Sequence, residues 1–219
     1  MAANKISPTQ RALNLWAIIL IIWAIYRANL KMPEWFDELI AKPLVFVLPV
    51  YWYIKNIDKK DLFSSLYIKP KLFFQDLIYG VFIGGIFFLT AIFANFLKSG
   101  ELFKINNAIN SQNIALIIIL AIATGISEEI LSRGFVLKKL YEESKNIYTA
   151  SFFASILFFF LHVPILFTNV KLVGNLLLLF MATDIILSLV NSFLFLDRKS
   201  LFLPILIHAF YNIALIFFI

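Results

Sequence analysis

The chain has 219 residues, 62% of them hydrophobic and only 15% charged, with 25 phenylalanines and no cysteine. A mean hydropathy of +0.90 excludes an ordinary water-soluble domain, and the lack of thiols excludes disulfides, thiolate metal ligands and a cysteine nucleophile. A formal charge of +6 would suggest nucleic acid for a soluble protein, but the basic residues fall between apolar runs, so no nucleic-acid partner is expected and membrane lipid is.

About seven apolar runs follow one another, with room for an eighth. They predict an all-α, polytopic bundle of transmembrane helices forming a single domain over residues 1–219. The stretch Met1 to Gln10 is polar and no small-residue cleavage site follows it, so the first run, Ala12 to Asn29, reads as a retained helix. The second, Leu39 to Ile54, is the weakest, because Lys42, Pro43 and Pro49 interrupt it; a kinked or re-entrant element is expected. The third, Phe73 to Leu97, carries Gly80 and Gly84 at GxxxG spacing and predicts close helix packing. The fourth runs from Asn113 through Glu128 and Glu129 to Leu140, and the fifth, Ile147 to Phe167, again has small residues at Ala150, Ser151, Ala154 and Ser155. Leu172 to Leu196 and Leu201 to Ile219 complete the set. On this reading most basic residues, among them Lys5, Arg11, Lys59, Lys60 and Arg198, share one side, while Arg27, Lys31, Lys42, Lys98, Lys104 and Lys171 face the other. The bias predicts a cytoplasmic amino terminus and an outside carboxyl terminus.

An ionisable group at the centre of a membrane helix costs on the order of 3 kcal/mol, so each is a functional candidate by default. In the fourth run, Glu129 and Arg133 stand one helical turn apart and predict an ion pair. Glu128 points about 100° away, toward a bundle interior or wet cavity. In the fifth run His162 lies in an otherwise apolar helix, with Phe158 one turn earlier on the same face and Pro164 just beyond. His208 and Asn212 project together from one face of the last run. At about 1.5 Å per residue these groups lie roughly 15 to 22 Å from the cytoplasmic loops, which allows them to share one level. Asp184, in the sixth run, reads as structural and hydrogen-bonded to Asn175 or Asn191.

A carboxylate, two imidazoles and a carboxamide around a wet cavity fit water-activated acyl hydrolysis. Glu128 would take a proton from a water that His162 orients, and His208 and Asn212 would stabilise the oxyanion. No cofactor is required on this route. A rival chemistry uses Glu128, His162 and His208 as ligands of a catalytic zinc with water in the fourth position. The residues leave both open.

EExxxR at Glu128, Glu129 and Arg133, FxxxH at Phe158 and His162, and HxxxN at His208 and Asn212, in that order and consuming both histidines, resemble the CPBP family. These are the CAAX-protease and bacteriocin-processing membrane proteins also called Abi. The likeness covers roughly residues 113–219, the family's catalytic core. It implies an intramembrane endopeptidase acting on a protein or lipidated peptide; type II CAAX prenyl members remove the last three residues of prenylated proteins. By motif position, Glu128 and His162 would activate the water, His208 and Asn212 would hold the oxyanion, and Glu129, Arg133 and Phe158 would support them. The family is often named for a metal whose role is disputed, so the zinc alternative stays open. HExxH is absent, Gly125-Ile126-Ser127-Glu128 is not the rhomboid GxSG, and a single buried aspartate cannot make a presenilin-like pair. Two other functions compete: a non-catalytic bacteriocin-immunity or scaffold protein, and a proton relay through Glu128, Asp184 and the histidines, against which stands the lack of any internal repeat.

Overall fold

The computed structural model describes residues 6–101, 105, 109, 113–168 and 174–218. Lys5, Lys104, Lys171, Leu172 and Ile219, which carry orientation charges or run ends in the sequence reading, lie outside them. The first helix, α1 (Pro8–Asn29), opens where Ser7 accepts the Gln10 amide at 3.1 Å and Pro8 presets the first turn. After Pro33 the chain continues as α2, residues 34–56, a helix of mixed pitch. An α turn (Glu34–Phe36) leads into π-helical segments Asp37–Ala41 and Pro43–Val47, then an α-helix (Leu48–Asn56). Pro43 and Pro49 lack amide hydrogens and fall in or beside these wide turns, where a regular α ladder is already interrupted.

After a short helix, Leu62–Ser65, and a 3-10 turn, Pro70–Leu72, the remaining long helices are α3 (Phe73–Ser99), α4 (Ile114–Ser144), α5 (Ile147–Thr168), α6 (Gly174–Arg198) and α7 (Phe202–Phe218). Among the described residues five helices are long and apolar enough to cross a membrane, namely α1, α3, α4, α5 and α6. The apolar α7 is shorter at 17 residues, and α2 is not among the five. The chain is thus an all-α, multi-pass membrane protein in which the second run, as its prolines foretold, departs from a regular crossing.

Packing, rather than withdrawal from water, orders such a bundle, since lipid tails are as apolar as leucine. The main core joins α1, α2, α4, α5 and α6 through Trp23, Phe46, Phe135, Phe158 and Phe195. The outlying α3 leans on α7 and turns Phe74 and Phe82, 77% and 71% exposed, outward to where lipid would lie. Its two motif glycines explain the approach. A Cβ on Gly80 would stand 2.7 Å from the Leu206 Cβ, and one on Gly84 would stand 2.6 Å from the Phe210 Cβ. Gly125 does the same for α4 against α7: a Cβ there would lie 3.0 Å from the Ile205 carbonyl oxygen and 3.7 Å from the His208 Cβ. That close pass brings His208 beside the glutamate pair.

Candidate functional site

Just past Gly125, α4 carries Glu128 and Glu129, and its pitch widens to a π segment over Ile130–Leu137. The two acids part as the helical geometry requires. Glu129 is fully buried and its Oε1 accepts from three donors: Arg133 Nη1 at 2.9 Å, Asn191 Nδ2 at 3.1 Å and His208 Nδ1 at 2.9 Å. The predicted Glu129–Arg133 pair is therefore present, and it is the hub of α4, α6 and α7. Phe158 seals it, with the Arg133 guanidinium 4.2 Å from its ring centre and the rings of His162 and His208 at 4.9 and 5.7 Å. A charged pair so deep needs every such contact to offset its desolvation.

Glu128 instead faces a cavity of about 340 Å³ that Glu34, Glu38, Lys42, Thr124, His162, Asp184, His208, Tyr211 and Asn212 help to line. Its Oε2 is approached by His162 Nε2 at 3.5 Å and His208 Nε2 at 3.7 Å. All four residues singled out for chemistry, Glu128, His162, His208 and Asn212, thus border one space. The ring of His162 is held from behind, its Nδ1 lying 3.3 Å from the Phe158 carbonyl oxygen and 3.4 Å from Asp184 Oδ2. Nδ1 carries the hydrogen in that setting, which leaves Nε2 turned to the cavity.

Three placements differ from the sequence reading. Asp184 does not pair with Asn191, whose amide is spent on Glu129 and on the Pro204 carbonyl oxygen at 3.2 Å; it faces His162, and the Asn175 side chain lies outside the described part of the structure. Lys42, counted from sequence as a loop-side charge, is 4% exposed and sits in the cavity wall, 2.7 Å from Glu128 Oε1 and 2.7 Å from Glu38 Oε2. Glu38 carries no role in the sequence reading, and Asn191 enters it only as a partner of Asp184. The available signal is Lys42 inside an apolar run with Glu38 just before it; Lys42 reads as an interruption of the run, whereas it partners another helix. For the zinc alternative, a divalent ion among Glu128, His162 and His208 would share Glu128 with the Lys42 ammonium. No group of three or more His, Asp or Glu with metal-holding geometry occurs among the described residues, so the donor set fits zinc poorly.

Fold and site together define a class: a multi-pass helical membrane protein whose centre is a charge-paired polar cluster open to a cavity. Residues 110–214 match the family described as Type II CAAX prenyl endopeptidase Rce1-like. That stretch holds all three motifs and is similar to the CAAX-protease-like family. No curated protein and no solved structure matches it.

Proposed function

We propose that the protein is an intramembrane endopeptidase that cleaves membrane-associated, lipidated peptides of the CAAX type. The observation that carries this reading is the facing of both imidazole Nε2 atoms onto one oxygen of Glu128, at 3.5 and 3.7 Å, inside a cavity that Asn212 also lines. A water held between Glu128 Oε2 and His162 Nε2 attacks the scissile carbonyl while Glu128 takes its proton. Negative charge then develops on the carbonyl oxygen, where Asn212 donates its amide hydrogens and His208 donates from Nε2. Since His208 already gives Nδ1–H to Glu129, its donor form is the imidazolium, and Glu129 faces that charge. Collapse of the tetrahedral species returns the proton from Glu128 to the leaving amine.

The lipid chain has a place as well. An apolar crevice of about 110 Å³ between α3, α6 and α7 is bounded by Phe87, Ala91 and Leu179 and shares Phe180, Tyr211 and Leu215 with the cavity. The route uses no metal. Reconstituted protein given matched peptides with and without an isoprenyl or acyl chain should cleave the lipidated one, and Glu128→Ala and His162→Ala should abolish this. Undiminished cleavage by either variant refutes the mechanism, and a stoichiometric zinc lost with His208→Ala refutes its metal-free form. Unaltered folding with no cleavage of any peptide by the wild type favours the immunity or scaffold role.

A further inference from the structure

We infer that Lys42 is a positioning residue for this hydrolysis, acting through Glu128, so that α2, which lies outside the family-matched stretch, completes the site. The inference rests on the proposed peptidase reading. Lys42 is the cation that meets Glu128: its Nζ lies 2.7 Å from Glu128 Oε1 and 2.7 Å from Glu38 Oε2, and the Trp23 ring of α1 lies 5.9 Å from it on a third side. Glu38 is itself tied to α4, accepting the Thr124 hydroxyl at 2.5 Å. The ammonium is therefore gripped by α1, α2 and α4 at once.

This grip makes the two oxygens of Glu128 unequal. Oε1 is committed to Lys42, whereas Oε2 is buried, has no hydrogen-bond partner among the described residues and is the oxygen the imidazoles face. A general base needs a lone pair free and aimed at the water, and its carboxylate needs a neighbouring cation to persist in an apolar interior. Lys42 meets both needs without touching substrate or water. Backbone geometry agrees. Lys42 falls between two π segments of α2, and Glu128 and Glu129 stand just before the π segment of α4. Wide turns of this kind re-aim side chains and concentrate at functional sites.

The test uses the full chain in proteoliposomes with a lipidated peptide. Lys42→Met should lower kcat per folded molecule about 10²-fold, the scale of a misplaced catalytic group, with KM little changed, and should also lower the melting temperature because Glu128 and Glu38 lose their buried partner. The fall of kcat on the acid side should begin at higher pH. Lys42→Arg, which keeps a cation, should recover part of the rate and the wild-type profile. A Lys42→Met protein whose only loss matches its loss of folded molecules, with an unmoved pH profile, overturns the inference. A second readout does not depend on turnover: the infrared carboxylate band assigned to Glu128 by difference against Glu128→Gln. Lys42→Met should move it, and an unmoved band again overturns the role. A moved band in a wild type that cleaves no peptide instead refutes the peptidase reading while keeping the Lys42–Glu128 coupling.

Discussion

Helices α2 and α3 both lie outside the family-matched stretch and carry none of its three motifs, yet they do opposite things. By hydropathy α3 is the stronger span and α2 the weaker; in the bundle α3 is an outer helix joined to α7 through glycines, while α2 reaches the polar centre with Glu38 and Lys42. A stretch that lipid would reject is one that other helices must accept. Apolar strength therefore reports contact with lipid, and interruptions report contact with the site.

The contrast makes substitutions near α2's partners act on turnover and those on α3 act on stability. The largest effect is expected for Glu128→Gln, which keeps the shape but removes the base that Lys42 holds. Initial rates should fall roughly 10²- to 10⁴-fold at an unchanged melting temperature. Asn212→Ala should follow, with kcat down about 10²- to 10³-fold and KM nearly constant; a loss confined to KM would remove it from the oxyanion role. On the other side, Gly84→Leu drives a side chain into Phe210, 2.6 Å from the first added carbon. Overpacking of this kind costs about 1–3 kcal/mol, so denaturation of the detergent-solubilised protein should shift while kcat per folded molecule stays the same. If kcat falls instead, α3 acts on the chemistry itself and not only on packing and the lipid crevice, and the contrast fails.

The smallest effect concerns the link between α2 and α3. Asp61 caps the short helix Leu62–Ser65, accepting the Ser64 amide at 2.9 Å, and that bond holds its carboxyl below the usual value. A folded-state value below the unfolded one adds stability above the ordinary carboxylate range, and this is lost as the pH falls through the folded value. Asp61→Ala should thus lower the melting temperature slightly at neutral pH and leave it unchanged in acid. Equal loss at both ends would show that the cap does not depend on charge.

Much of the bundle was legible because transmembrane helices are written as long apolar runs. The GxxxG seam, the Glu129–Arg133 pair, the divergence of Glu128 and the shared face of His208 and Asn212 follow from helical spacing, which local sequence sets. What escaped were partners supplied from far along the chain. Asp184 was assigned to asparagines and instead backs His162, 22 positions away on the next helix, because helical spacing says which face a residue occupies but not which helix lies opposite.

By itself the sequence determined the class, the number and order of the main helices, and the residues able to do chemistry, since lipid solvation and the 3.6-residue period act locally. Only the tertiary structure decided which oxygen of Glu128 is free, which nitrogen of each histidine faces the cavity, and that Lys42 joins Glu128 across 86 positions of chain. Those are outcomes of helices meeting in three dimensions, where close passes at Gly125 and wide turns in α2 and α4 choose the partners.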